Sequence, residues 1–142
     1  MASISLSRAR QIIRKTLAKG RELELKPLSV IVLDDGGHPV AFEREDDASP
    51  GRFKVAEGKA YGSIMLGIGG EAQNARAENQ AYFIAAANGA FGGKLVPVPG
   101  GILVRSKNGK VLGAVGVTGD TSENDATAGQ AGIEAANLVA ET

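Results

Sequence analysis

From Ser5 to about Leu25 apolar and small residues recur at three-and-four spacing, as Leu6, Ala9, Ile12, Ile13, Leu17 and Gly20. That spacing predicts an amphipathic helix capped by Ser5. Its other side carries Arg8, Arg10, Arg14, Lys15, Lys19 and Arg21 with no interleaved aromatic residue for base stacking, the mark of a solvated face. After Pro27 the run Leu28 to Leu33 is short and rich in β-branched residues, as in a strand covered on both faces. Asp34-Asp35-Gly36-Gly37-His38 supplies turn chemistry, and Val40 to Asp46 returns as a second strand, so the two form a hairpin. Period two puts Val40, Phe42, Arg44 and Asp46 on one face of that strand, where a charged pair continues an apolar side.

Ser49-Pro50-Gly51 reads as an N-cap with proline at the first helical position, opening a helix to about Ile68 whose broad face holds Phe53, Ala56, Lys59, Ala60, Ser63, Ile64 and Gly67. A further helix is predicted from Glu71 to about Asn88, set off by Gly69-Gly70 and ended by Gly89. Leu95 to Val98 is a short strand candidate. Ile102 to Ser106 and Val111 to Thr118 are strands joined through Asn108-Gly109, a two-residue hairpin signal. Asp120-Thr121-Ser122 caps a last helix from about Glu123 to Ala140. Two hairpins separated by helices predict an α+β fold, an antiparallel sheet of about five strands flanked by helices, in one domain over residues 1–142.

Composition narrows the classes. Gly numbers 20 and Ala 22 of 142 residues, whereas Phe and Tyr total six and Trp and Cys are absent, so the core is built from small and branched aliphatic side chains. A core of that kind gains from subunit contacts, and a homo-oligomer is expected. Sixteen basic residues balance sixteen acidic ones, which provides no general field for nucleic acid or an anionic membrane. Without cysteine there is no disulfide, thiolate metal site or cysteine nucleophile. The start MASISLSRARQ lacks a signal-peptide apolar run and no stretch reaches a membrane-spanning length, so a cytoplasmic location is expected.

Candidate chemistry is sparse. His38 is the single histidine, and the acids around it have no calcium-loop spacing, so no metal site is expected. Gly67-Ile68-Gly69-Gly70-Glu71-Ala72 has the letters of a dinucleotide fingerprint but stands between helices, where it reads as a corner. What remains is Arg44, Asp46 and Lys59 with Gly100, Gly101 and Gly116. A cation on an apolar face either pairs with an acid or holds an anionic ligand, and a glycine in a strand marks a bulge or the close approach of a backbone or ligand.

Val30-Ile31-Val32-Leu33-Asp34-Asp35-Gly36-Gly37, Arg44-Glu45-Asp46-Asp47-Ala48, Ala56-Glu57-Gly58-Lys59-Ala60, Pro99-Gly100-Gly101-Ile102 and Gly113-Ala114-Val115-Gly116-Val117-Thr118-Gly119 follow in an order that resembles the GlcG/HbpS-like, haem-degrading domain family. The resemblance implies a profilin-like sheet, assembly into oligomers and a cleft near Arg44, Asp46, Lys59, Gly100, Gly101 and Gly116. It also implies haem as a candidate ligand, for which His38, Tyr61, Met65 and Tyr82 are the available axial donors. Two readings follow. In the first the protein binds a tetrapyrrole or a small carboxylated metabolite through Arg44, Lys59, Gly100, Gly101 and Gly116. In the second it is a catabolic enzyme, a lyase, tautomerase or hydrolase of an organic acid. There Arg44 orients the substrate, Asp46 or Asp125 is the general base, and Lys59 acts as acid or stabilises an enolate.

Overall fold

The computed structural model describes residues 3–142. Helix α1 (Leu6–Glu22) leads into a hairpin of β1 (Ser29–Asp34) and β2 (Pro39–Arg44). Helices α2 (Arg52–Leu66), α3 (Gly70–Asn79) and α4 (Ala81–Ala90) follow, then β3 (Gly101–Arg105), β4 (Val111–Thr118), α5 (Ser122–Ala135) and β5 (Val139–Glu141). The strands form one antiparallel sheet in the order β2-β1-β4-β3-β5, which is the α+β architecture predicted.

Alternation along the central strands divides the core in two. Val30, Val32, Ile102, Val104, Val115 and Val117 point to one face and pack with Ala9, Ile12 and Ile13 of α1 and Ala128 and Ile133 of α5. On the other face Ile31, Leu33, Leu103 and Ala114 meet Ala56 and Ala60 of α2. Ser5 caps α1 by accepting from the Arg8 N–H, and Thr121 caps α5 by accepting from the Asn124 N–H, each at 3.1 Å.

Four boundaries differ from the periodicity. The segment 95–98 is not a strand: Pro97 lacks a ladder donor, and Leu95 and Val96 donate to the Asn88 side chain and the Gly58 carbonyl instead. The single helix over 71–88 is two, broken at Gln80, whose φ of −140° and ψ of 60° leave the helical region. Ser49 is not the cap of α2; its carbonyl closes a turn onto Arg52 N–H, and Gly51 stands at the cap with no side-chain hydrogen bond. The last helix stops near Ala136 because Asn137 turns the chain at φ 65°, and residues 139–141 pair with β3.

Candidate functional site

Helix α2 lies unusually close to the sheet, and the glycines make this possible. A Cβ at Gly116 would stand 2.0 Å from the Ala56 carbonyl oxygen, and one at Gly101 2.3 Å from that of Lys59. At Gly100, with φ +110°, it would stand 2.8 Å from Lys59 Nζ. The space over Gly100, Gly101 and Gly116 is therefore taken by the chain's own helix, at the three positions where the sequence suggested a ligand.

The same approach buries Lys59. Its side chain is 3% exposed, and the ammonium donates to the Val117 carbonyl at 2.9 Å and to Asp125 Oδ2 at 3.2 Å. Asp125 Oδ1 accepts from the Asp120 N–H at 2.9 Å, so both carboxylate oxygens are engaged. Burial lowers the pKa of Lys59 and raises that of Asp125, while their mutual attraction opposes both shifts. The pair joins α2 on one face of the sheet to α5 on the other.

Arg44 and Asp46 lie elsewhere. Both line an open groove of about 410 Å³ with Leu17, Arg21, Pro27, Glu43 and Glu45, and no hydrogen bond or ion pair connects them to Lys59 or Asp125. Glu45 is engaged: it accepts from the Leu28 N–H at 2.7 Å and pairs with Arg21 at 3.2 Å. The four residues assigned together as catalytic thus stand as a buried pair and an exposed pair.

A second groove, of about 420 Å³, was not anticipated. It runs between α2 and the loop after α4 and is lined by Lys54, Val55, Gly58, Gly93, Lys94 and Val96, among others. The spacing of Lys54, Gly58, Tyr61 and Met65 puts them along one side of α2, over about 16 Å of helix. Lys94 Nζ sits 4.9 Å over the Tyr61 ring, which meets Phe91 edge-on at 6.2 Å. At the far end of this row Met65 and Tyr61 pack on Gly37, the residue before His38. The one sequence signal was the Gly92-Gly93 pair, which reads only as a turn until the tertiary contact with α2 is known.

His38, 79% exposed, is oriented by Asp34: Nδ1 lies 3.3 Å from Asp34 Oδ1, which also accepts the N–H groups of Gly36 and His38 at 2.9 Å each. The backbone N–H of His38 is the main cause that holds the Asp34 carboxyl below its ordinary pKa. Tyr82 projects from α4 and is 73% exposed. Among the described residues no group of three or more His, Cys, Asp or Glu side chains could hold a metal ion, and no helix is long and apolar enough to cross a membrane.

An α+β domain with one helix seated on glycine-rich strands is the class that fold and site define. The chain belongs to the family described as haem-degrading protein, HbpS-like, whose sequence model matches residues 4–134. It is similar to an uncharacterised 15.0 kDa protein of the dhaT-dhaS intergenic region of Citrobacter freundii, 32% identical over 127 residues, 88% of this chain and 86% of that one. Among solved structures it resembles PduOC in its complex with haem, with TM-score 0.86, 21% identity and 99% of each chain covered. It also resembles the ORFY protein of Klebsiella pneumoniae, with TM-score 0.83, 24% identity and 96% and 92% covered.

Proposed function

We propose that the protein binds haem or a closely similar tetrapyrrole in the groove between α2 and the loop after α4. The observation that carries this reading is the groove's make-up: Val55, Val96 and the glycines Gly58, Gly92 and Gly93 give it an apolar, side-chain-free wall, the lysines Lys54 and Lys94 stand with Glu57 along its rim as cations for propionate carboxylates, and Tyr61 lies beneath Lys94. The family's name and the resemblance to PduOC, which was solved with haem, support it. The residues present fit such a group. Tyr61 and Met65, on the same side of α2 as the groove, would be donors to iron, and next to Gly37, on which both pack, His38 has its Nδ1 held by Asp34, so that its Nε2 would be a further donor. Bound haem would supply a redox-active iron; the chain itself supplies the donors, the apolar wall and the cations. Arg44 and Lys59, assigned to carboxylates from the sequence, have no part in this groove.

Haemin titration tests the reading. A saturable Soret shift is expected, with an altered iron spectrum in His38→Ala and weaker binding in Lys54→Glu/Lys94→Glu. The absence of a saturable shift, or wild-type behaviour of both variants, would overturn it.

Self-association is part of the proposal. Helix α4 packs on α3 and on no other helix or strand among the described residues, and residues 81–93 carry no charge. Light scattering should report a homo-oligomer that Tyr82→Arg reduces to a smaller species, and a wild-type monomer would remove the idea.

A further inference from the structure

A third groove, of about 490 Å³, is larger than the two above and lies where the start of α1, the turn from β3 to β4 and the link from α5 to β5 meet. Three cations line it, Arg8 of α1 and Lys107 and Lys110 of the turn, and no acidic residue does. The other two grooves differ in this respect. The one at Arg44 holds Glu43, Glu45 and Asp46 beside its arginines, and the haem groove holds Glu57 beside its lysines. Neither Arg8 nor Lys107 forms an ion pair among the described residues. The helix that bears Arg8 has no counter-charge nearby to offer, since no acid precedes Glu22 in the chain.

Leu112 and Leu138 line the same groove; both are buried and belong to the core shared with α1 and α5. Each wall is tied down by the backbone. Ile4 N–H donates to the Leu112 carbonyl at 3.0 Å, which anchors the start of α1 on β4. Ser106 N–H donates to the Lys110 carbonyl at 2.8 Å and Lys110 N–H to Ser106 Oγ at 3.1 Å, which closes the turn. On the third side Asn137 bends the chain at φ 65°, and Leu138 N–H donates to the Ile133 carbonyl at 3.2 Å. Asn108 Oδ1 accepts from Ser106 Oγ, which leaves the amide nitrogen of Asn108 to donate elsewhere. A fixed apolar floor under a rim of donors and like charges is an arrangement that takes up an anion with an apolar body.

We propose that this groove binds a small organic anion, a carboxylate or phosphate group on an apolar body. Arg8 recognises the anionic group by parallel N–H donors, Lys107 and Lys110 act as point charges, and the body rests on Leu112 and Leu138. Like charges around one recess repel one another, and a bound anion relieves that repulsion while gaining contacts of its own. The site is independent of the haem groove, which lies on the opposite face of the sheet.

Phenyl phosphate and benzoate, each titrated against the full chain at constant ionic strength with chloride as the reference, test it through backbone amide chemical shifts. Saturable shifts at Lys107, Asn108 and Asn137 are expected with at least one of them, and the tighter one identifies the anionic group. Inorganic phosphate and acetate leave the leucine floor uncovered, and each should bind about threefold more weakly than its phenyl counterpart. Lys107→Gln, in the exposed turn, should weaken binding about threefold, and Arg8→Gln/Lys107→Gln about tenfold or more. Both variants should keep the wild-type melting temperature without ligand and the wild-type haemin titration. Responses that stay linear, that chloride reproduces, that the double variant leaves unchanged, or that are as tight without the phenyl group would overturn the proposal.

Discussion

The two faces of the sheet are packed by different means. Toward α1 and α5 the contact is made by branched side chains, with Ile12, Ile13, Val30, Val32, Ile102 and Ile133 all fully buried. Toward α2 it is made largely by backbone, with the carbonyls of Ala56 and Lys59 lying where Gly116 and Gly101 would carry a Cβ. Thick side-chain packing yields a core that tolerates modest changes of volume. Backbone packing has no such slack, yet it brings polar groups and a buried ion pair into the layer. The groove proposed for haem is on the α2 side, and the α1/α5 side serves as its support.

The sharpest way to break this contrast is Gly116→Val. The side chain would meet the helix backbone at 2.0 Å, which cannot move without lifting α2. A loss of about 4 kcal/mol or more, read by denaturant unfolding, is expected. A loss under about 1 kcal/mol would mean that α2 can slide on the sheet. Next in size is Lys59→Met, which leaves the buried Asp125 carboxylate without its cation and should cost about 3 kcal/mol. The double change Lys59→Met/Asp125→Leu should recover much of that loss, since both charges then leave the interior. If the double variant is as unstable as the single one, the pair contributes more than mutual compensation.

How much of this was legible in the sequence depends on the range of the interaction. The helices α1 and α2 and the two hairpins follow from local period and turn residues such as Asn108-Gly109, and the structure has them in the predicted order. The three-residue β5 was hidden because Val139–Glu141 continues a helical pattern, and only its pairing with β3 makes it a strand. Lys59 was conspicuous as a cation on a small-residue face, and Asp125 as an acid in a capping region. Their pairing spans 66 positions, a relation that no local pattern encodes. The strand glycines announced a close approach without saying what approaches. The groove of Lys54, Gly58 and Lys94 escaped because its walls come from a helix and a loop that meet only in the tertiary fold.

On the thick face the expected effects are smaller. Ile133→Val removes one buried methylene group at a fully covered position and should cost about 1 kcal/mol, without change in haemin binding, because the groove is on the other side of the sheet. A clear loss of haemin binding in this variant would show that the two faces are coupled.

The smallest effect concerns the junction of that face with β1. Asp120 accepts hydrogen bonds from the Lys26 N–H at 2.9 Å, the Thr121 N–H at 2.9 Å and the Asn124 side chain at 2.8 Å. These hold its carboxyl down to about 2 from an ordinary 3.8, the Lys26 N–H being the largest cause. A carboxyl that is more acidic when folded stabilises the fold above its unfolded pKa, and that contribution is lost as the pH falls from about 4 to about 2. Asp120→Asn keeps an acceptor oxygen but removes the titration. Its melting temperature should therefore be lower than wild type at pH 6 and should fall less steeply between pH 4 and pH 2, so that the two curves converge in acid. Parallel curves across that window would mean that the carboxylate's charge contributes nothing to the tether between Lys26 and α5, and that its geometry alone holds the junction.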